Sequence, residues 1–284
     1  MVAGELQRYL RLLGIRATVD ERAPRSEAAL NDLVCRHLCR VPFENVSKLV
    51  LLGREGAGRA TTLQEYLDGI ESQDLGGTCH TNNRFLADLL RGLGYEADLL
   101  GADMTKPDVH TSIRVRLSGA EYHIDVGYGA PFRGAIRLDR LPWEMVQGAY
   151  RFVFDRAAAS GTYQASVFCG EQRLHGYLVH PPARTAAFFD AALQESFRPG
   201  MTFTSMLRII RFFDDSAADL QDSRLSIHRD GKTTVRILRD MAELRAAVCN
   251  DLAMPRCPID ESVTALEQRT GRSVFEERGK AGAV

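Results

Sequence analysis

The sequence predicts an α+β protein: an N-terminal helical bundle, a central antiparallel β-barrel and a C-terminal α/β lid. Three observations predict it. Apolar residues up to Leu93 recur at helical spacing, whereas from Tyr95 onward the period changes to alternation. Short alternating segments then follow one another without helices between them, the pattern of an antiparallel barrel or sandwich. Pro181-Pro182 breaks the chain before a last third in which helical and alternating stretches mix. The expected divisions are a helical bundle over 1–94, a barrel over 95–182 and a lid over 183–284.

The first helix is expected over 5–13, with Leu6, Tyr9, Leu10 and Leu13 on one side and Gly14 as its stop. A polar link through Arg22-Ala23-Pro24-Arg25-Ser26 leads to a second helix over 27–40, which Pro42 must end. Residues 51–60, rich in glycine, read as a loop; Gly53, Gly56 and Gly58 are no phosphate cradle, since no Gly-Lys-Ser/Thr follows. A third helix is expected over 61–70. The fourth opens at Cys79, where Thr78 is placed to cap it; Leu86, Leu89, Leu90 and Leu93 share its apolar face and Gly94 stops it. Strands follow over 95–104, 110–117, 122–126, 150–154, 162–168 and 173–179. In the last third, a helix over 186–195 precedes strands over 206–213, 225–228 and 233–238. Asp230-Gly231 makes a hairpin of the last two, Asp240 caps a helix over 241–252, and the tail from Gly279 is expected to fray.

A chain of 284 residues, 45% hydrophobic and 26% charged, can bury a substantial core. Lys and Arg number 36 against 37 Asp and Glu, a balance that offers nothing to draw nucleic acid or an anionic membrane. No basic stretch precedes an apolar core at the start and no apolar run approaches a membrane span, so neither secretion nor membrane insertion is expected. Six cysteines, irregularly spaced, make no disulfide framework, and a reducing cytoplasm is the expected setting. Cys35 and Cys39 bracket His37, but they fall on an apolar helix with no second ligand pair, so they read as core residues and no metal is expected.

The chemistry gathers at Gly76-Gly77-Thr78-Cys79. A thiol on the first residue of a helix faces unpaired backbone N–H groups and the positive end of the helix dipole, both of which favour thiolate. On the two strands that follow, Ile113, Val115, Tyr122, Ile124 and Val126 take one face, which leaves His110, Arg114, His123 and Asp125 on the other. A cysteine at a helix start with histidine and aspartate on a neighbouring sheet face is what covalent acyl transfer requires. By residue chemistry His80, His110 and His123 are all candidate bases; His80 is disfavoured because adjacent helix residues do not face each other.

Gly76-Gly77-Thr78-Cys79, then His110, then Ile124-Asp125-Val126-Gly127-Tyr128-Gly129, resemble the Cys-His-Asp signature of the arylamine N-acetyltransferases. Val41-Pro42-Phe43-Glu44-Asn45-Val46 is similar to that family's Pro-Phe-Glu-Asn-Leu segment, and Tyr9-Leu10-Arg11 to its opening helix. The resemblance implies a cysteine-protease-like core with Cys79 as nucleophile, His110 as base and Asp125 orienting it. It implies ping-pong acetyl transfer from acetyl-coenzyme A to an aromatic amine or hydrazine, with Phe43, Tyr128, Gly129 and Phe203 lining the pocket. An amide synthase of the same fold and a thiol hydrolase of papain or transglutaminase type are the alternatives. The sequence departs from the family's Arg-Gly-Gly-Tyr-Cys-Phe-Glu at Leu75, Thr78, His80 and Thr81. In relatives the arginine can pair with the glutamate that corresponds to Glu44, so Glu44 needs another partner here.

Overall fold

Helix formation begins where the sequence supplies both an apolar stripe and a cap. The computed structural model describes residues 1–15 and 25–276; the tail from Gly279 and most of the link before Arg25 lie outside the described residues. Helix α1 (Ala3–Leu12) buries Leu6, Tyr9 and Leu10. Helix α2 (Glu27–Arg40) is capped by Ser26, whose Oγ accepts from Ala29 N, and stops short of Pro42. A short strand β1 (Phe43–Glu44) leads into α3 (Val46–Glu55), and α4 (Leu63–Gln73) starts on a Thr62–Glu65 capping box. Helix α5 (Cys79–Gly92) follows, with Leu86, Leu89 and Leu90 buried.

The strands in order are β2 (Glu96–Asp103), β3 (His110–Leu117), β4 (Ala120–Ile124), β5 (Ile136–Arg137), β6 (Trp143–Gln147), β7 (Tyr150–Arg156), β8 (Tyr163–Cys169) and β9 (Gln172–Arg184). After a 3₁₀ turn come α6 (Asp190–Glu195), α7 (Thr202–Ser205), β10 (Arg208–Phe212), β11 (Ser216–Gln221), β12 (Arg224–Arg229), β13 (Lys232–Ile237), α8 (Met241–Ala246) and α9 (Ile259–Thr270). The Asp230-Gly231 hairpin forms as expected, with φ of 51° and 69°, the left-handed pair its tight turn demands.

Contacts gather these elements into two units, each drawn from separated stretches: Met1–Arg40 with Cys79–Phe189, and Val41–Thr78 with Asp190–Val284.

The first unit is built on an eight-stranded antiparallel sheet ordered β5-β4-β3-β2-β9-β8-β7-β6. It curls into a nearly closed barrel, bringing its ends together: Phe132, beside β5, packs edge-on against Trp143 of β6 at 5.4 Å, and Arg156 of β7 donates to Leu138 O at 3.0 Å. Phe152, Phe154, Ala165, Val167, Tyr177 and Val179 fill the interior. Outside, α5 packs on β2 and β3, and the face of β3 and β4 that carries Ile113, Val115, Tyr122 and Ile124 is buried. The opposite face turns His110, His123 and Asp125 toward the barrel's aromatic interior, as alternation requires.

The second unit carries a five-stranded sheet, β1-β10-β11-β12-β13, with α3 and α9 packed together. Its core draws on Val46, Leu49, Ile209, Leu225, Leu244 and Val263, from both the sheet and the helices.

Besides the short elements β1, β5 and α7, four elements depart from expectation. The loop anticipated over 51–60 is helical to Glu55, and Gly56, at φ 69°, supplies the left-handed stop. Strands β6 and β11 were unanticipated; β11, Ser-Ala-Ala-Asp-Leu-Gln, lacks the β-branched residues of a typical strand and is held by ladders on both sides. Helix α9 was also missed, although Ile259, Val263 and Leu266 repeat at helical spacing.

Candidate active site

Cys79 opens α5 and is 8% exposed. Thr111 Oγ1 donates to its carbonyl oxygen at 2.9 Å, tying the helix start to β3. His110 opens β3, and Asp125 lies just past β4; both are buried. His110 Nε2 donates to Asp125 Oδ2 at 2.7 Å, which leaves Nδ1 as the ring nitrogen for the interaction with Cys79. The three residues that the sequence singled out therefore lie in one chain of neighbours, with His110 bonded to Asp125 and in electrostatic interaction with Cys79.

Asn83 holds this chain from α5. It sits one turn after Cys79, hence on the same helical face. Its Nδ2 donates to Asp125 Oδ1 at 2.9 Å and to Thr111 O at 2.6 Å, while its Oδ1 accepts from Val126 N at 2.9 Å. Gly127 N is a second donor to Asp125 Oδ1, at 2.9 Å. A Cβ on Gly127 would lie 2.5 Å from Cys79 Cα, so only glycine lets that turn pass so close to the start of α5.

Burial and charge compete at each member. Burial pushes the Cys79 thiol up, but the interaction with His110 outweighs this, and Cys79 ends below the ordinary thiol value. The helix start acts in the same direction. For His110, burial disfavours the cation, yet the Asp125 carboxylate and the Cys79 sulfur win and raise it. Asp125 is lowered: burial opposes, and the His110 charge, His123 and Asn83 prevail. The arrangement favours thiolate, imidazolium and carboxylate together.

The other candidates separate. His123 is buried, stacked on Phe154 at 4.1 Å with its Nε2 3.0 Å from the Tyr177 hydroxyl, and burial pushes it down to about 4. His80 Nε2 lies 3.1 Å from Val109 O. Tyr128 sets its ring edge-on to His110 at 5.6 Å and bonds His175 Nδ1 at 2.5 Å; Gly129 follows at φ 78°. Phe43 and Phe203 pair with each other in the second unit, rings 5.6 Å apart and edge-on. Tyr177, from β9, was not anticipated: its ring lies 4.6 Å from that of His110 and its hydroxyl 3.0 Å from His123 Nε2. Nothing local marked it, whereas Asn83 was legible as the residue four after Cys79.

In the second unit Glu44 is wholly buried. Ser47 N donates to its Oε2 at 2.8 Å and Gly76 N to its Oε1 at 3.1 Å, and no Lys, Arg or His among the described residues is paired with it. Leu75, which stands at the family's arginine position, is packed in the apolar core instead. Cys39 Sγ accepts from Arg133 at 3.5 Å, and among the described residues no three His, Cys, Asp or Glu side chains cluster to hold a metal. Nor is any described helix long and apolar enough to cross a membrane.

A sequence profile of the N-acetyltransferase family matches residues 28–253. Over 262 residues, 88% of this chain and 91% of the relative, the sequence is 26% identical to an arylamine N-acetyltransferase of Mycolicibacterium smegmatis. The arylamine N-acetyltransferase of Mycobacterium abscessus has a similar structure, with a TM-score of 0.78 at 20% identity over 94% of this chain and 95% of that one. So has that of Mycobacterium marinum, solved in complex with CoA, with a TM-score of 0.76 at 20% identity over 93% and 99%.

Proposed function

The chain belongs to the arylamine N-acetyltransferase family, and from that premise we propose that it moves an acetyl group from acetyl-coenzyme A to an arylamine or hydrazine through an acetyl-Cys79 intermediate. One observation carries the reading: His110 is bonded to Asp125 at 2.7 Å in a buried site shared with Cys79, whose electrostatics favour the thiolate–imidazolium pair. The CoA bound by the Mycobacterium marinum relative supports the choice of donor.

In the first half-reaction the Cys79 thiolate attacks the thioester carbonyl. The carbon–sulfur bond to coenzyme A breaks, and the departing thiolate takes the proton from His110, leaving acetyl-Cys79 and a neutral imidazole. In the second, the amine nitrogen attacks the acetyl carbon and His110 Nδ1 accepts its proton. The carbon–sulfur bond to Cys79 then breaks, the amide leaves, and the thiolate–imidazolium pair is restored. Asp125 keeps His110 in the tautomer and orientation that both steps use. Low exposure of Cys79 slows hydrolysis of the intermediate, so that amine rather than water discharges it. Tyr128 and Gly129, beside His110, are the residues of this unit proposed to flank the acceptor.

The test is intact mass after incubation with acetyl-coenzyme A, followed by addition of an aromatic amine. The expected result is a gain of about 42 Da, one acetyl replacing a hydrogen, located on Cys79, absent from Cys79→Ala and discharged by the amine. No adduct, or an adduct that persists in Cys79→Ala, overturns the reading.

A further inference from the structure

His110, the proposed base, stands where a sheet holds its residues least. It is the first residue of β3: its partner Ala102 closes the ladder with β2, and pairing with β4 begins only at Ile113. The chain before it is exposed from Met104 to Pro107, and Asp108 makes a left-handed turn at φ 51°. A strand end with one paired edge and an exposed approach is weakly fixed by its ladder alone.

Two further bonds tie this strand end to the first turn of α5. On the C-terminal side of His110, Thr111 Oγ1 donates to Cys79 O at 2.9 Å. On the N-terminal side, His80 Nε2 lies 3.1 Å from Val109 O. A carbonyl oxygen only accepts, so Nε2 carries the hydrogen and His80 is the donor. Val109 O and His110 N belong to one planar peptide unit, and a hold on that oxygen is a hold on the plane from which His110 sets out. The half-buried His80 ring is itself braced by Phe189, 5.8 Å away with 57° between planes. Residues 79 and 80 are thus bonded to residues 111 and 109, and His110 lies between the two tethers.

We propose that His80 is a positioning residue for acetyl transfer, its Nε2–H holding the Val109–His110 peptide so that the imidazole keeps its alignment with Asp125 and Cys79. Phenylalanine, which the family's motif has after its cysteine, would supply a ring and no donor. The departure at His80 therefore adds a bond to the backbone of the base, on the side that the sheet leaves unsupported.

The inference rests on the function proposed above, and its test separates the two. His80→Phe keeps an aromatic ring beside Phe189 and removes the donor; His80→Gln places an amide N–H near the Nε2 position and cannot act as a base. At saturating acetyl-coenzyme A, the rate of acetyl-Cys79 formation is expected to fall about tenfold in His80→Phe, less than the roughly 10²-fold that a displacement of 1 Å costs, and to stay within about threefold of native in His80→Gln. The acetyl-coenzyme A concentration giving half the limiting rate should change less than about twofold in both, since the tether touches no substrate. Equal losses in the two variants, a native rate in His80→Phe, or a loss confined to the half-saturating concentration overturns the proposal.

A second readout needs no acetyl donor. The pH at which iodoacetamide alkylation of Cys79 reaches half its plateau should rise by about one unit in His80→Phe, the counterpart of a tenfold weaker interaction with His110, and should return toward native in His80→Gln. A third needs no variant at the tether: ¹⁵N-histidine NMR of the native protein should show the hydrogen of neutral His80 on Nε2. An unmoved alkylation limb in His80→Phe, or an Nδ1–H tautomer, sinks the inference even if acetyl-Cys79 forms as expected. Failure of the native protein to form that adduct sinks the function reading and leaves the alkylation and tautomer results standing.

Discussion

Asp125 in the first unit and Glu44 in the second are both taken out of water, and the two are shifted in opposite directions. Asp125, in the first unit, is lowered; Glu44, in the second, is raised. Burial pushes both up, so the difference comes from what surrounds them. Asp125 has the His110 cation at 2.7 Å together with N–H donors from Asn83 and Gly127. Glu44 has neutral donors alone, among them Ser47 N, Gly76 N and the Ser47 hydroxyl. Neutral hydrogen bonds do not offset desolvation of the carboxylate at Glu44; a neighbouring positive charge does at Asp125. The presence of a cation thus distinguishes a carboxylate suited to steering an imidazolium from one suited to holding a turn.

The largest expected effect breaks the first half of that comparison. Asp125→Asn keeps the shape but removes the charge, and it is expected to lower the rate of Cys79 acetylation by about 10³- to 10⁴-fold with the fold retained by circular dichroism, as for the corresponding change in a serine-protease triad. A variant that keeps a tenth of the rate would show that the carboxylate's charge is not what matters. The same substitution makes a pH prediction. In the native protein Cys79 is lowered and His110 raised, so alkylation by iodoacetamide should already be on its plateau below the ordinary thiol range. In Asp125→Asn the imidazolium loses its stabilising neighbour, and the rising limb should move up toward that range. An unmoved limb would mean that the helix start alone ionises Cys79.

Gly127→Ala is next. Its methyl group would sit 2.5 Å from Cys79 Cα and 2.7 Å from Asn83 Nδ2, so either α5 or the turn after Asp125 must move. A displacement approaching 1 Å costs about 10²-fold in a positioned reaction, and a loss of that order in the acetylation rate is expected. A variant within threefold of the native rate would show that the site tolerates the shift.

How much of this was legible depended on whether the determinant was local. The change of period at Tyr95, the two faces of β3 and β4, and the helix start at Cys79 follow from neighbours in sequence, and all three appear. Asn83 is local too, four residues from Cys79, and an inspection of the helix face would have found it. Tyr177 reaches the site only because β9 pairs with both β2 and β8, a relation that no spacing encodes. The helical stretch Leu51 to Glu55 was obscured by Gly53 and Arg54, which read as loop, whereas the chain ends the helix only where Gly56 turns left-handed. Strand β11 was obscured in the opposite way: its alanines favour helix in isolation, and pairing on both edges overrides them.

The smallest expected effect sharpens the second half of the comparison. Glu44 is raised, so over the interval between the unfolded carboxylate value and its folded value the native state holds a proton that the unfolded state has released. Stability then declines as pH rises through that interval, by at most about 1.4 kcal/mol per pH unit for a single group. Asp125 is lowered, and its contribution has the reverse sign: present above the unfolded value and lost as pH falls. Glu44→Gln cannot titrate, and its single acceptor oxygen leaves Ser47 N or Gly76 N unpaired, at a cost of about 1–3 kcal/mol. The stability gap between native and Glu44→Gln protein, measured by urea unfolding at pH 5 and pH 8, should therefore narrow as pH rises, because only the native protein acquires a buried charge. A gap that widens would mean that Glu44 behaves like Asp125, ionised in the fold, and that neutral donors alone can do what the comparison assigns to a cation.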